Sequence, residues 1–172
     1  MVRRILLLAG SLAVLASGAR ADTTGGAMKS FGLVGAWSTD CAGDFRAVYD
    51  IPWFGQPTLK ITFRDKEQAV YEIQSATQIT DEKIKLSWLV TMRFGGSKPN
   101  LVAAAGEKYE AIYQKVGSKY NALMTKQMDG AKIFALDGFL YEPVTEDRGE
   151  TVVGWKRSAK QTPLFEKCLN QP

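Results

Sequence analysis

Polar and apolar residues alternate along most of the chain after Phe31, which is the pattern of strands with one buried and one solvated face. The longest example covers residues 82–94. Its apolar face consists of Ile84, Leu86, Trp88, Val90, Met92 and Phe94. The opposite, solvated face carries Lys85, Ser87, Thr91 and Arg93. We therefore expect a long half-buried strand in this part of the chain.

Similar alternation elsewhere predicts about eight strands. Gly, Asp and Ser residues stand between the alternating segments, where hairpins need tight or positive-φ turns. The predicted strands cover residues 34–39, 45–50, 58–64, 68–79, 82–94, 108–116, 119–128 and 150–157, and residues 131–142 form a candidate short ninth strand. Because a sheet of many antiparallel strands has exposed edges unless it closes, we expect an all-β fold, an antiparallel up-and-down barrel. A β-sandwich is the alternative.

The segments on either side of this region give different signals. Thr162 followed by Pro163 matches the N-cap and first position that helices favour, so the sequence predicts a short C-terminal helix over residues 163–169. Residues 22–30 are rich in Thr, Gly and Ala, which predicts a flexible lead-in. We therefore expect a single barrel domain over residues 31–172.

Residues 1–21 have the parts of a secretory signal peptide. Arg3 and Arg4 form a positive start, and residues 5–16 form an apolar run that is too short to span a bilayer. Ala19-Arg20-Ala21 supplies the small residues that a signal peptidase recognises, so cleavage is expected before Asp22. The mature protein is then periplasmic or secreted and not embedded in a membrane. The paired arginines leave the Sec and twin-arginine export routes open.

Charge changes the list of expected partners. The chain has 22 Lys and Arg residues against 18 Asp and Glu residues. Three of the basic residues lie in the predicted signal peptide, so the mature chain is nearly neutral and has no basic cluster. This argues against binding to nucleic acid or to a membrane surface by polybasic attraction.

The two cysteines, Cys41 and Cys168, stand near the two ends of the predicted domain. In an exported protein an even pair of cysteines is expected to form a disulfide. A bridge that closes such a long loop stabilises the fold by about 4–5 kcal/mol in the chain-entropy description. The alternative, a reactive thiol, requires a base or an electropositive environment beside one of the sulfurs.

Gly35-Ala36-Trp37, in the first predicted strand, resembles the Gly-x-Trp signature that opens lipocalins and related calycin barrels. Trp155-Lys156-Arg157 is similar to the end of their last strand, which places a basic side chain over that tryptophan. The chain also resembles small exported proteobacterial proteins that pair Gly-x-Trp-x-x-x-Cys, here Gly35 to Cys41, with a late Phe-x-x-Cys, here Phe165 to Cys168. The second lipocalin triplet is absent. The resemblance implies a barrel and an exported location, and no catalytic residue.

Several classes of catalytic site are excluded because the chain lacks the residues or motifs that they require. It contains no histidine, which removes Ser-His-Asp and Cys-His catalysis and the usual zinc sets. Nucleophile-elbow, Ser-x-x-Lys and phosphate-loop motifs are also absent from the sequence. The carboxylates that remain as candidates are Asp137, Glu142, Glu146, Asp147 and Glu150. Since they flank Gly or Pro in predicted turns, we expect solvated turn residues, with no enzyme activity, metal or cofactor.

Two groups of apolar residues are candidates for a ligand site. Trp53 and Phe54 lie on the proline-bracketed connection 51–57, and residues 99–106 form a second apolar connection. Both are expected to lie across a barrel end, as plugs of the core, as lids over a pocket or as a surface that binds a partner. The predicted interior set consists of Trp88, Met92, Tyr109, Tyr113 and Met124. These residues either line a cavity for one small apolar ligand or form a plain core.

The leading functional hypothesis is therefore an exported binding protein for a small hydrophobic or amphipathic molecule. A disulfide-bonded module that binds or inhibits another envelope protein through its loops is the alternative. A carboxylate-dependent hydrolase is the third.

Overall fold

The computed structural model describes residues 23–94, 104–146 and 151–169. The predicted signal peptide, residues 99–103 of the second apolar connection, and the candidate carboxylates Asp147 and Glu150 lie outside this part. The described part contains one helix and eleven strands. They are α1 (Thr24–Phe31), β1 (Gly35–Ser38), β2 (Phe45–Asp50), β3 (Thr58–Phe63), β4 (Lys66–Thr80), β5 (Lys83–Arg93), β6 (Lys108–Val116), β7 (Lys119–Gln127), β8 (Ile133–Leu136), β9 (Phe139–Glu146), β10 (Thr151–Gln161) and β11 (Phe165–Lys167).

Eight of these strands form a closed antiparallel barrel. Strands β1 to β7 pair in chain order, and β11 then inserts between β7 and β1 to complete the ring. The prediction of an all-β, antiparallel, up-and-down barrel is confirmed, and the complete ring of pairings excludes the sandwich. Closure matters because it removes the free strand edges of an open sheet.

The other three strands form a small sheet beside the barrel. The start of β7 pairs with β11, whereas its end pairs with β8 through Thr125 and Ala135. Strands β8, β9 and β10 then follow as a meander. The last barrel strand was predicted over residues 150–157, and its described residues 151–157 belong to this side sheet. The candidate ninth strand at 131–142 is divided between β8 and β9.

The predicted C-terminal helix over residues 163–169 is wrong, because this segment contains β11. Trp37 of β1 pairs with Lys167, and Tyr120 of β7 pairs with Phe165. The rings of Phe165 and Tyr120 also stack, with centroids 5.4 Å apart. The Thr-Pro capping signal is local. The segment instead meets two strand edges, whose backbone groups would lack partners if it were helical.

The flexible lead-in predicted over residues 22–30 is also wrong, because most of it forms α1. Thr23 caps the helix by accepting a hydrogen bond from the Gly26 N–H, and Gly32 ends it at a φ of 80°. Met28 is completely buried against the barrel, together with Ala27 and Phe31. A glycine-containing segment is a poor helix former by itself, so burial of this face stabilises the helix.

Cys41 and Cys168 form the predicted disulfide, with Cα atoms 5.4 Å apart, although the two residues are 127 positions apart in sequence. Cys41 lies in the loop after β1, and Cys168 directly follows β11. The buried guanidinium of Arg46 holds the same loop by donating to the carbonyls of Cys41 and Gly43, at 2.6 and 2.5 Å. The bridge therefore anchors the short strand that closes the barrel to a well-braced loop.

The barrel interior near α1 is filled by aromatic rings. Tyr113 and Tyr120 have ring centroids 5.0 Å apart, and Trp37 lies 4.7 Å from Tyr120. Tyr49 completes the cluster at 6.4 Å from Tyr113. Burial, followed by the neighbouring phenols, raises the pKa of Tyr113 and Tyr49 well above the ordinary value, so both remain neutral. These rings form a closely packed core, and a cleft of about 280 Å³ lies beside it, lined by Phe31, Trp37, Lys115 and Tyr120.

A basic side chain does lie over Trp37, but a different one from the residues indicated by the lipocalin resemblance. The Lys167 ammonium is 5.7 Å from the Trp37 ring, within the range of a cation–π contact. Arg157 is instead placed over Phe139 in the side sheet, 3.6 Å from that ring. The cation over Trp37 therefore comes from β11, the strand that closes the ring.

No helix in the described residues has the length and apolar character needed to cross a membrane.

Candidate functional site

A cavity of about 310 Å³ opens at the end of the barrel away from α1. Phe31 of α1 lies beside Lys115, near the β6–β7 turn, whereas the cavity is lined from the opposite ends of these strands. Its walls come from the consecutive strands β3 to β8. The lining residues are Leu59, Ile61, Tyr71, Trp88, Arg93, Tyr109, Thr125 and Phe134. Its volume is at the lower end of the range for small-molecule sites.

Aromatic contacts fix the shape of the cavity wall. Trp88 and Tyr109 are cross-strand partners on β5 and β6, and the Tyr71 ring meets Trp88 edge-on at 6.2 Å. Phe134 lies 5.7 Å from Tyr109. These rings are held by strands of one continuous sheet, so the wall is preformed by the ladder and does not depend on a loop.

The side sheet supplies the last part of this wall. Phe134 belongs to β8, which replaces β11 as the neighbour of β7 at the open end. Its ring is backed by Trp155 of β10 at 5.5 Å, and the Trp155 indole N–H donates to the carbonyl of Ala131 at 2.8 Å. The meander therefore has a structural task, which is to close the gap that the short β11 does not reach.

A β-bulge reverses the predicted positions of Met92 and Arg93. The ladder between β4 and β5 pairs Tyr71 with Val90 and then Val70 with Met92, so Thr91 opposes no residue of β4. This extra residue shifts the alternation by one position. Met92 is therefore 48% exposed, and Arg93 lines the cavity. Strict period-two counting predicts the opposite arrangement because it assumes an uninterrupted ladder.

A second bulge has the same effect on Met124. Strand β6 pairs Ile112 with Met124 and Tyr113 with Ala122, so Leu123 is the extra residue on β7. Thr125 consequently lines the cavity in place of the predicted Met124, which is only partly buried.

Trp88 and Tyr109 are the two members of the predicted interior set that line the cavity. Tyr113 lies deeper, stacked 6.4 Å from Trp88 and within the packed core. Leu59 and Ile61 share one face of the predicted strand 58–64 by their alternation with polar residues, but they were not among the predicted site residues. Phe134 could not be found from the pattern, because β8 is only four residues long.

Trp53 and Phe54 do not lie over this cavity. Their side chains are 91% and 84% exposed, with the two rings 6.2 Å apart. The connection that carries them leaves β2 next to α1, where Ile51 lies against Gly25. It is therefore at the α1 end of the barrel, and the prediction that these residues form a lid is wrong for this cavity. The alternative that Trp53 and Phe54 plug the core is also wrong, because both side chains are almost fully exposed.

Glu107 forms a polar cluster at the cavity rim. Its carboxylate accepts hydrogen bonds from the Tyr109 hydroxyl at 2.6 Å and the Ala104 N–H at 2.7 Å, and the Lys132 ammonium lies 2.5 Å away. Partial burial disfavours the charged form, but these three contacts outweigh it and hold the Glu107 pKa below the ordinary value. The Tyr109 hydroxyl is thus engaged at the rim, and its ring forms part of the wall.

The cavity lining includes none of the candidate carboxylates that the structure describes, which are Asp137, Glu142 and Glu146. Asp137 occupies the β8–β9 turn with a φ of 52°, and Glu142 on β9 accepts a hydrogen bond from Ser158 at 2.9 Å. Among the described residues, no group of three or more His, Cys, Asp or Glu side chains is arranged to hold a metal ion. The site is therefore an apolar chamber with one guanidinium at its wall.

No protein-family model, curated protein or solved structure matches the chain.

Proposed function

We propose that this protein is an exported, lipocalin-like binding protein that holds one small hydrophobic or amphipathic molecule in the open cavity. The observation that carries the proposal is the cavity of about 310 Å³ with walls from β3 to β8. A site built on strands of a closed barrel is preorganised, which lowers the entropy that binding must overcome.

The size and apolar lining of the cavity support a binding role. Protein interiors are close-packed, and voids larger than a water molecule are few. The rings of Tyr113 and Tyr120 follow this rule, with centroids 5.0 Å apart, and a cleft of about 280 Å³ lies beside Tyr120, Trp37 and Phe31 at the same end. At the other end a space of about 310 Å³ remains, which equals the liquid volume of about ten water molecules. Its floor and walls include Leu59, Ile61 and Trp88, which suit an apolar guest better than bulk water.

The disulfide supports the exported part of the proposal. Bridges of this kind persist in oxidising compartments, and this one fastens the barrel at its shortest strand. The Gly35-x-Trp37 signature with Lys167 over the tryptophan ring adds to the resemblance to lipocalins.

Heavy-atom quenching of tryptophan tests the proposal at the level of one residue. The probe is 10-bromodecan-1-ol, an uncharged molecule whose terminal bromine quenches an indole only on contact. In the cavity, the bromine reaches the wall formed by Trp88. We expect saturable quenching with one probe molecule per chain.

Two single variants make the readout specific. Trp53→Phe removes the exposed indole at the far end and should leave the quenching unchanged, whereas Trp88→Phe should abolish most of it. Absence of saturable quenching in the wild type would refute the proposed function. Loss of quenching in Trp53→Phe alone would move the binding site to the exposed connection.

The alternative, a protein-binding module, is favoured by one specific observation. Trp53 and Phe54 are adjacent, almost fully exposed aromatics, and residues of this type are enriched at the centres of protein interfaces. A photo-crosslinking residue in place of Trp53 should then capture one discrete envelope protein. The matched control is the same residue in place of Met128, which is 56% exposed on another surface. Equal capture at both positions would count against this alternative.

A further inference from the structure

We propose that the ligand is an amphipathic anion, with an apolar tail inside the chamber and a carboxylate-like head bound by Arg93. This inference rests on the proposed function and adds the chemical class of the ligand. It starts from the only charged side chain among the described residues of the cavity lining.

The bulge in β5 gives Arg93 its position. Thr91 is the extra residue, and its hydroxyl donates to the carbonyl of Val70 at 3.0 Å, which fastens the bulge to β4. Beyond it the ladder resumes, with the Phe94 N–H donating to the carbonyl of Gln68 at 2.8 Å. Bulges next to binding sites commonly redirect a side chain. Here the bulge directs a guanidinium inward and a methionine outward.

The groups around Arg93 favour a negative head. A guanidinium offers five N–H donors in a planar fork that matches a carboxylate, so it can serve a protein acceptor and a ligand together. Tyr71 also lines this part of the cavity. Burial raises the Tyr71 pKa, with the charge of Arg93 acting in the opposite direction, so the phenol stays protonated and Arg93 lies within electrostatic reach of it. Glu107, the acidic group at the rim, is already engaged by Lys132 at 2.5 Å.

The remaining lining favours an uncharged tail of limited length. Leu59, Ile61 and Phe134 present carbon atoms only, and the Tyr109 hydroxyl is occupied by Glu107. A chamber of about 310 Å³ has room for a tail of roughly ten non-hydrogen atoms, on the basis of ~30 Å³ for each water-sized group. The geometry therefore points to a medium-chain monocarboxylate or a compact aromatic acid.

Two probes that differ only in their heads test this inference. 10-Bromodecanoate and 10-bromodecan-1-ol share the same tail and the same quenching bromine, so both are titrated at pH 7.5 with tryptophan quenching as the readout. A hydrogen-bonded charge pair makes the wild type bind the carboxylate about ten- to a hundredfold more tightly than the alcohol. The cationic probe 10-bromodecyltrimethylammonium should bind more weakly than the alcohol.

Arg93→Gln should bring the affinities for carboxylate and alcohol to within about threefold of each other. Arg93→Lys keeps the charge without the planar fork and should retain part of the preference. The matched control is Arg64→Gln, which removes one positive charge from the same barrel end, where Arg64 is 73% exposed and paired with Asp44. This control should behave as the wild type.

Each outcome separates the two proposals. If the wild type binds all three heads equally, the anionic head is refuted and the binding function stands. If none of the probes binds, both are refuted. If Arg64→Gln loses the preference as Arg93→Gln does, general surface charge is responsible and Arg93 is not the head-group site. Should Arg93→Gln fail to fold, the three wild-type titrations and Arg93→Lys decide the question.

Discussion

Replacing Cys41 and Cys168 together by serine tests how the barrel is held closed. The closing strand β11 has three residues, and it pairs with β1 at two positions and with β7 at two. Without the bridge, this strand depends on those few hydrogen bonds and on the Phe165 ring.

The expected loss follows from the size of the loop that the bridge closes. For residues 127 positions apart, the chain-entropy description gives about 4–5 kcal/mol of stabilisation, exerted through the unfolded state. This is a large part of the roughly 5–15 kcal/mol that stabilises an ordinary domain. It corresponds to a fall in Tm of roughly 8–20 °C for a protein of this size.

Urea denaturation followed by far-UV circular dichroism measures this difference. Wild-type protein treated with a phosphine reductant is the control, and its midpoint should match that of the double serine variant. In the wild type, the Cys168 N–H donates to the Ala36 carbonyl at 2.9 Å. Amide hydrogen exchange at this position should be faster in the double serine variant than in the wild type, while the β4–β5 ladder stays protected. A difference below about 1 kcal/mol, or unchanged exchange at Cys168, would contradict the idea that the bridge secures the closing strand.

Three further predictions follow from single contacts. Met28→Ala should destabilise the protein by about 2–5 kcal/mol because its completely buried side chain leaves a cavity under α1; the exposed control Met128→Ala should change the denaturation midpoint by less than about 0.5 kcal/mol, and a similar small value for Met28 would mean that α1 is not packed in solution. The Glu107 pKa is held below its ordinary value of 4.5, so the carboxylate stabilises the folded state above that pH and this contribution is lost on acidification. The wild type should therefore lose more stability than Glu107→Gln between pH 5 and pH 3, and parallel curves would exclude this cluster as the cause. Deleting Thr91 removes the extra residue of the bulge, so Met92 should still oppose Val70 and Arg93 should still face the cavity; the folded deletion variant should therefore keep the preference for 10-bromodecanoate, and loss of the preference would contradict this account of the register.

Much of the barrel is visible in the sequence because its signals are local. Strands β2, β6 and β7 were predicted within a residue of their observed bounds, since period-two alternation and turn residues both operate over a few positions. The disulfide was predicted from the cysteine count and is present. Trp88 and Tyr109 were assigned correctly to the interior, because the β5–β6 ladder that pairs them has no bulge and the alternation therefore holds along it.

The tertiary structure decided which segment closes the ring. Residues 163–169 have a good helix start, and residues 150–157 have a good strand pattern. In the folded chain β11 takes the closing position and β10 joins the side sheet. The preference arises because β11 satisfies two strand edges at once and stacks Phe165 on Tyr120. These long-range hydrogen bonds and ring contacts outweigh a local capping preference. They cannot be predicted from a short window of sequence.

The candidate site depends on the same long-range fit. The alternating pattern alone determined that aromatic and aliphatic residues face inward, but the bulges at Thr91 and Leu123 determined which residues reach the open end. A bulge reconciles the lengths and twist of neighbouring strands, so its place is set by the partner strand as much as by its own residues. The alternating pattern therefore predicts that Arg93 is solvated, whereas in the folded barrel it is part of the cavity wall.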